Sequence, residues 1–158
     1  MNFLSFFARN ASFSNDQIDV RLTSQDITSQ ECGIDDGYLF YIYRRHGLKK
    51  IGYVSLRLGE SPSLYYLGHI GYRIDEPYRG NGYARQACEL IKPFARELGL
   101  LSVVITTDTD NMASRKTCER LGCALEAIVP VPPEYQPLCS GSQYKCRYIW
   151  RILAEQGD

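Results

Sequence analysis

The chain has 158 residues, of which 44% are hydrophobic, so we expect one globular domain over residues 1–158 with a buried core. Lysine plus arginine and aspartate plus glutamate both number 18, and the zero net charge gives no support for binding to nucleic acid or to a membrane surface. No apolar run approaches the roughly 20 residues that span a bilayer. The start also lacks the basic segment of a signal peptide, so we expect a cytoplasmic protein.

The six cysteines and two histidines do not form a metal-binding pattern. No two cysteines are spaced as Cys-x-x-Cys, so we expect no zinc site and no other metal. A disulfide framework is typical of smaller secreted chains. We therefore expect reduced thiols, with Cys88 and Cys118 acting as small hydrophobic residues on helices.

The N-terminal half is predicted to consist mainly of strands. Residues 1–16 form either a short amphipathic helix or an extended arm, and Ser24, Gln25 and Asp26 are candidates to cap a short helix before Gly33. Strand patterns cover residues 18–22, 38–44, 50–58 and 64–74. Because short turns join the last three of these strands, we expect an antiparallel meander.

A glycine-containing loop follows the fourth strand and leads into a helix over residues 82–98. A helix N-terminus offers unpaired N–H groups and the positive end of a dipole, which favour an anion. Gly80 and Gly82 let a phosphate approach the backbone, and Arg79 adds a positive charge. Pro93 is expected to kink the helix, and Gly99 to end it. The predicted apolar face of the helix comprises Ala84, Ala87, Cys88, Ile91, Ala95 and Leu98.

The C-terminal half is predicted to add one helix and three strands. Residues 101–107 are a nearly continuous apolar run, which is typical of a buried parallel strand and predicts a right-handed βαβ unit with strand 64–74. The next helix is capped by Asp110 or Asn111 and ends at Gly122. Strands are predicted at 125–131 and 143–153, joined by a proline-rich, irregular connection.

The loop at residues 79–84 resembles a known coenzyme-binding sequence. A Walker A sequence is absent, and the dinucleotide fingerprint fails at its third small position. The spacing Arg-x-x-Gly-x-Ala, at Arg79, Gly82 and Ala84, resembles the acyl-CoA diphosphate loop of the GNAT superfamily of N-acetyltransferases.

A second stretch strengthens this resemblance. Asn111 and Ser114, followed by Leu-Gly at residues 121–122, resemble the second sequence block of the GNAT family. The resemblance covers residues 18–153, and within the family the chain is most similar to the ribosomal-protein-acetyltransferase branch. It implies an α/β (α+β) fold, with a mixed, mostly antiparallel central sheet of about six to seven strands, one parallel βαβ unit and flanking helices.

The family's activity implies transfer of an acetyl group from acetyl-CoA, as co-substrate, to a primary amine by direct attack in a ternary complex. By resemblance, Asn111 lies near the pantetheine arm, whose amides pair with the backbone around Tyr72 and Ile74. The residues implied to hold the diphosphate are Arg79, Gly80, Asn81, Gly82, Tyr83 and Ala84. Ser114, with Arg115 or Lys116, is implied to approach the 3′-phosphate; the alternative for the two basic residues is a solvated pair on a surface helix.

Four residues are candidates for the proton transfers. His69 is the candidate general base, because a neutral imidazole accepts a proton near pH 7; the alternative is a strand histidine without a role. Many relatives carry a tyrosine general acid where this chain has Cys118. Three alternatives are open for protonation of the departing thiolate. Cys118 acts as a weak proton donor, or Tyr144 or Tyr135 takes the place of the usual tyrosine. In the third alternative no side chain is needed, because a thiol is a fair leaving group.

The acceptor site is predicted to be open. Family members usually place two helices between their first two strands, whereas this chain has only residues 23–37 there. The roof is then thin, or comes from the N-terminal arm, from residues 130–143 or from the second subunit of a homodimer. An open groove favours a peptide, a protein N-terminus or an aminoglycoside-like polyamine, so the expected acceptor is a small-molecule amine or the N-terminus of a peptide or protein. The rival interpretations are a non-catalytic acyl-CoA-binding sensor module and a purely structural α/β interaction domain.

Overall fold

A computed structural model describes residues 11–153, which form one eight-stranded sheet with helices packed on it. The strands are β1 (Ser12–Ser14), β2 (Ile18–Leu22), β3 (Asp36–Arg44), β4 (Lys50–Leu58), β5 (Ile70–Ile74), β6 (Ser102–Asp108), β7 (Ala124–Pro130) and β8 (Tyr144–Arg151). The α-helices in this range are α1 (Pro62–Leu67), α2 (Tyr83–Glu97) and α3 (Met112–Arg120). Short 3-10 turns lie at Glu76–Tyr78 and Pro137–Cys139.

The strand order is β1-β2-β3-β4-β5-β6-β8-β7, and every neighbouring pair is antiparallel except β5 and β6. The predicted fold class, with one parallel βαβ unit in a mostly antiparallel sheet, is confirmed. The sheet has eight strands, whereas about six to seven were predicted. The additional strand is β1, where Phe13 pairs with Val20 at the edge of the sheet. The predicted N-terminal arm or helix is therefore partly a strand, and residues 1–10 lie outside the described residues.

Helices α2 and α3 lie on one face of the sheet, over the main core. The predicted apolar face of α2 is confirmed in its centre, where Ala87, Cys88 and Ile91 are fully buried. Phe94 joins them through edge-to-face packing on Phe40, with ring centroids 5.2 Å apart. The helix runs through Pro93 and ends as predicted before a glycine of positive φ, Gly99.

The connection between β4 and β5 differs from the sequence prediction. Residues 64–74 are not one strand, because residues 62–67 form helix α1 and β5 begins only at Ile70. Ser61 caps the helix by accepting a hydrogen bond from the Leu64 N–H at 3.3 Å, and Pro62 fits the first helical position. Gly68, at φ 80°, then turns the chain into β5.

Residues 23–35 also differ from the prediction, since they contain no helix. They are an irregular segment with one isolated bridge between Ser29 and Ile34. The side chain of Asp26 accepts a hydrogen bond from the Thr28 N–H at 2.8 Å, so it stabilises a local turn instead of capping a helix.

The cysteines are all free thiols, and Cys88 and Cys118 are buried as expected for small hydrophobic residues. Within residues 11–153, no three side chains of His, Cys, Asp or Glu are grouped so that they could hold a metal ion. None of the helices in this range is long and apolar enough to cross a membrane.

Candidate active site

The candidate site is a gap between the two parallel strands. β5 and β6 pair only at Ile70 and Ile105 and then separate towards their carboxyl ends. Each strand keeps its antiparallel neighbour on the other side, so the gap is held open by the sheet. A cavity of about 170 Å³ lies there, lined by Leu67, Ile70, Gly71, Tyr72, Ile105, Thr106, Thr107, Asp108, Asn111, Ser114 and Lys145.

The free edge of β5 carries peptide groups that face this gap. The Arg57 N–H donates to the His69 carbonyl at 2.7 Å, and the Asp75 N–H donates to the Ile51 carbonyl at 2.8 Å. Hydrogen-bonded pairs alternate along an antiparallel ladder, so odd-numbered residues of β5 bond to β4. The peptide groups of Tyr72 and Ile74 therefore point to the opposite edge, where an extended ligand could pair with the Tyr72 groups and the Ile74 N–H, whereas the Ile74 carbonyl already accepts from the Arg79 Nε.

The loop before α2 presents unpaired backbone donors. Gly80 and Gly82 have φ values of 84° and 72°, which favour glycine, and a Cβ atom added at Gly80 would meet nothing within 4 Å. The first bond of the helix runs from the Gln86 N–H to the Gly82 carbonyl at 3.1 Å. No acceptor among residues 11–153 bonds the N–H groups of residues 80–85. These donors, at the positive end of α2, suit a diphosphate.

Side chains fix the shape of this loop. The Arg79 Nε donates to the Ile74 carbonyl at 2.8 Å, which ties the loop to the end of β5. The Asn81 amide donates to the Tyr78 carbonyl at 3.0 Å. Both predicted coenzyme-binding residues thus hold the loop in place, and the backbone amides are left as the groups free to bind an anion.

A basic groove of about 460 Å³ adjoins the same loop, and sequence reasoning missed it. It is lined by Gln17, Arg44, Arg45, Asn81 and Tyr83. Arg44 ends β3 and Arg45 follows it, and because β4 pairs antiparallel with both β3 and β5, the ends of β3 and β5 lie at the same edge of the sheet with β4 between them. Their doublet was visible in the sequence, but only the topology places it next to the phosphate loop. Its positive charge adds to the attraction for a diphosphate.

Helix α3 forms the wall of the gap on the side of the core. The Asn111 side chain caps the helix by accepting the Ser114 N–H at 3.1 Å, and both residues line the cavity. Arg115 does not extend towards a ligand, because its Nε donates to the Tyr148 hydroxyl and its Nη1 to the Thr109 carbonyl, both at 3.1 Å. Its predicted approach to a 3′-phosphate is therefore not favoured, whereas Lys116 is exposed.

His69 connects β5 to β6 at the closed end of the gap. Its N–H donates to the Val104 carbonyl at 2.8 Å, and its ring Nδ1 accepts the Val104 N–H at 2.9 Å. A ring whose Nδ1 accepts carries its proton on Nε2 in the neutral state, so it has no free lone pair with which to act as a base. Burial and the charges of Arg147 and Arg57 also lower the pKa of His69. The structure thus does not favour the predicted role of general base.

Cys118 and Tyr144 are also poorly placed as acids. Cys118 is fully buried and does not line the cavity, and Tyr144 is 53% exposed and lies outside the lining. Tyr135, the other alternative, stacks on Tyr66 with ring centroids 5.2 Å apart. None of these residues brings a donor into the gap.

Tyr72 brings a hydroxyl to the gap that sequence reasoning did not identify as chemical. Its hydroxyl lies 2.7 Å from the Ser114 Oγ, across the gap from β5 to α3. Burial and the neighbouring Cys118 raise the pKa of Tyr72, so the group stays protonated and can donate. No sequence pattern indicates this role, because it depends on the distance between β5 and α3.

Asp108 is the carboxylate in the lining, and sequence reasoning also missed it. Its Oδ1 accepts hydrogen bonds from the Ser142 Oγ at 2.5 Å and the Lys145 Nζ at 2.7 Å. Burial opposes ionisation, but the hydrogen bonds from Lys145 and Ser142 outweigh it and lower the pKa of Asp108. Asp108 is therefore ionised at neutral pH and is a weak base.

The roof of the gap is helix α1, held from beneath by arginines. The Arg57 Nη1 donates to the Leu67 and Gly68 carbonyls at 3.0 and 3.2 Å, and Arg147 donates to the Tyr65 carbonyl. Cations at the end of a helix bind its unpaired carbonyls. The stacking of Tyr66 on Tyr135 joins α1 to the proline-rich segment, which is one of the roofs that the sequence allowed.

Comparison with models of protein families shows to which family the chain belongs. A family model described as "Acetyltransferase (GNAT) domain" matches residues 4–124, more than half of the chain. The chain belongs to the GNAT acetyltransferase family. It is therefore an acetyltransferase that depends on an acyl-CoA donor, as the resemblance in its loops implied. A search of curated protein sequences finds no match.

Solved structures share the GNAT fold at low sequence identity. A ribosomal-protein-S5-alanine acetyltransferase from Vibrio fischeri is 17% identical, with a TM-score of 0.67 over 90% of this chain and 97% of the other. RimL, a ribosomal alpha-N-protein acetyltransferase in complex with coenzyme A, is 19% identical, with a TM-score of 0.64 over 92% and 100%. The acetyltransferase yncA from Salmonella typhimurium, solved with acetyl-CoA, is 16% identical, with a TM-score of 0.56 over 77% and 68%.

Proposed function

We propose that this GNAT enzyme acetylates the α-amino group at the N-terminus of a polypeptide, by direct attack on acetyl-CoA within a ternary complex. The observation that carries the proposal is the openness of the acceptor side of the gap. Residues 23–35 contain no helix, and the roof is the short helix α1, which contacts that irregular segment through Ser61 and Cys32 and the segment at 131–143 through the Tyr66–Tyr135 stack. An extended chain can enter such a groove. RimL and the Vibrio fischeri protein are both named as acetyltransferases of ribosomal proteins, which supports the same kind of acceptor.

The residues present fit acetyl-CoA. The free N–H groups of residues 80–85 suit its diphosphate, and the outward peptide groups of Tyr72, with the Ile74 N–H, suit the amides of its pantetheine arm. Acetyl-CoA supplies an acetyl thioester, whose carbonyl carbon is the electrophile.

The lack of a strong base favours an α-amine over a lysine. An α-amino group has a pKa of about 7.7–8.0, so roughly a tenth of it is neutral at pH 7, compared with roughly 0.04% of a lysine amine. The N-terminal amine can therefore attack without a base of its own. The carboxylate of Asp108 in the lining of the gap is already paired with Lys145, so the ammonium form loses its surplus proton to water before the neutral amine attacks.

Tyr72 stabilises the leaving group in this proposal. Its protonated hydroxyl, held by Ser114, donates a hydrogen bond to the sulfur as the C–S bond breaks and negative charge develops there. The proton lost by the amine balances the free thiol that is released. Tyr72 thus takes over the role that Cys118 cannot perform from within the core.

An acyl-CoA sensor that does not turn over is the second candidate, and the buried Cys118 favours it. The test uses acetyl-CoA with three acceptors: a peptide with a free N-terminus, the same peptide blocked at its N-terminus but carrying a lysine, and a polyamine. We expect thiol release with the free N-terminus, and mass spectrometry should place the acetyl group on its α-amine. Tight binding of CoA without turnover on any acceptor would assign the chain to the sensor class, and acetylation of lysine alone would contradict the proposed acceptor.

A further inference from the structure

The face of the sheet opposite α2 and α3 carries a row of cationic and aromatic residues. The strand register places Arg21 beside Tyr41, Tyr41 beside Tyr53, and Tyr53 beside Arg73. These four residues, from β2 to β5, are called the charged strip here. They alternate with the core residues Val20, Ile42, Val54 and Tyr72, so their side chains lie on the open face.

The next row of residues on this face leads from β3 to the gap. It pairs Leu39 with Ser55 and Ser55 with Gly71, and Gly71 lines the cavity. Ser55 is 4% exposed, and a Cβ atom at Gly71 would lie 2.1 Å from the Arg57 Nη2. The Arg57 guanidinium therefore lies over Gly71, so this row ends at a partly buried cation beside the gap.

Two aromatic rings of this face, those of Tyr41 and Tyr43, are covered by cations. The Arg21 guanidinium lies 4.4 Å from the ring centroid of Tyr43, and the Lys50 Nζ lies 4.6 Å from that of Tyr41. At these two rings the face presents positive charge to a ligand and leaves less aromatic surface on which bases could stack. This favours carboxylates over nucleic acid as the partner.

Asp19, an acidic residue on this face, pairs with one arginine of the charged strip and not with the other, Arg73. Asp19 is 4% exposed, and its carboxylate already binds the Arg45 Nη1 at 2.5 Å and the Arg21 Nη2 at 3.2 Å. Arg73 is exposed and makes no ion pair with any residue in the part of the chain that the structure describes. The strip therefore keeps unneutralised positive charge at its end nearest the gap.

We propose that the charged strip selects acceptor polypeptides with aspartate or glutamate soon after the N-terminal residue. This rests on the proposed function, because it assumes that a polypeptide amine reaches the gap. The strip crosses three strand spacings, about 14 Å, which is the length of about four extended residues. With the amine at the gap beside Gly71, the acidic positions fall at about the second to the sixth residue of the acceptor.

The test compares peptides that differ only in charge. With the full chain and acetyl-CoA, kcat/KM is measured at low salt for three peptides whose residues 2–6 are acidic, amide isosteres of those acids, or lysine. We expect the acidic peptide to exceed the isostere by about three- to tenfold, since surface ion pairs are individually weak, and the preference to vanish at high salt. Arg73→Glu should reverse the preference between acidic and lysine peptides.

Arg120→Glu is the matched control, because Arg120 is an exposed arginine at the end of α3, on the other face of the sheet. It should keep the preference of the parent chain. Equal turnover of the three peptides overturns this inference and leaves the proposed function standing, whereas turnover of none, with CoA still bound, contradicts both. Equal turnover together with inhibition by an RNA oligonucleotide that Arg73→Glu relieves would assign the strip to nucleic acid instead.

Discussion

The two halves of the site differ in how they are built. The coenzyme half is one continuous segment, in which β5, the loop and the first turn of α2 follow each other within residues 70–86. The acceptor half is assembled from distant parts: α1, the end of β6, the proline-rich segment and the open face of β2–β5. A continuous segment fixes its geometry by local backbone rules, whereas the acceptor half depends on packing, so each half should respond differently to substitution.

The largest expected effect is the loss of the Tyr72 hydroxyl. In Tyr72→Phe we expect kcat to fall about 100-fold while the Kd for CoA stays within about twofold, because the hydroxyl acts on charge that develops during the reaction. Stopped-flow or steady-state thiol release measures kcat, and calorimetry measures Kd.

Tyr144→Phe is the matched comparison, since this exposed tyrosine lies outside the gap. It should retain the activity of the parent chain. Full activity in Tyr72→Phe, or a large loss in Tyr144→Phe, would return the role to the residue predicted from sequence.

The phosphate loop should be sensitive to a single methyl group. Gly80→Ala adds a Cβ atom to the loop that carries the free N–H groups and strains a residue at φ 84°. We expect CoA to bind about 10- to 100-fold more weakly, because a hydrogen bond to a charged group is worth about 1.5–3 kcal/mol.

Gly99→Ala separates backbone strain from ligand contact. Gly99 has φ 82°, has nothing within 4 Å of an added Cβ atom, and follows the opposite end of α2. Gly99→Ala should lower the melting temperature about as much as Gly80→Ala does, and it should leave the affinity for CoA unchanged. If both variants lost affinity equally, the loop would not be the coenzyme site.

His69 should matter for stability and not for chemistry. His69→Ala leaves the buried Val104 N–H without its acceptor, which costs about 1–3 kcal/mol of unfolding free energy. His69→Asn supplies a carbonyl oxygen in place of Nδ1 and should keep most of the stability and activity. Chemical denaturation and kcat measure the two effects, and an inactive but stable His69→Asn would restore the histidine as a base.

The pH dependence of stability follows from the same residue. Burial and the charges of Arg147 and Arg57 lower the pKa of His69, so below pH 6.5 the unfolded chain binds a proton that the folded chain resists. Stability should therefore fall as the pH falls below about 6.5 and should be unaffected by this group above it. His69→Asn should remove that part of the dependence.

The smallest expected effect concerns the pH dependence of kcat/KM. With a peptide acceptor, kcat/KM should rise with pH and level off near pH 8, following the acceptor's own α-amine. No step near pH 6.5 is expected, because His69 stays neutral. A step there that His69→Asn abolishes would contradict the proposed absence of a histidine base.

These contrasts explain which features the sequence could predict. Gly80 and Gly82 were found because positive φ and an open helix N-terminus are encoded by neighbouring residues. The helix α1 was missed although Ser61 and Pro62 are a start signal, because alternating residues further on suggested a longer strand. Tyr72 and Asp108 could not be recognised, since their roles follow from the separation of β5 and β6 and from contacts to residues far along the chain.

The central claim is that the free amides of residues 80–85 bind the diphosphate of CoA beside the gap. The most direct measurement is a titration of the isotopically labelled chain with CoA, followed through its backbone amide resonances. We predict large shifts for residues 80–85, together with shifts for Tyr72 and Ile74 at the free edge of β5. Saturation by CoA with these resonances unmoved, and shifts elsewhere on the sheet, would contradict the account.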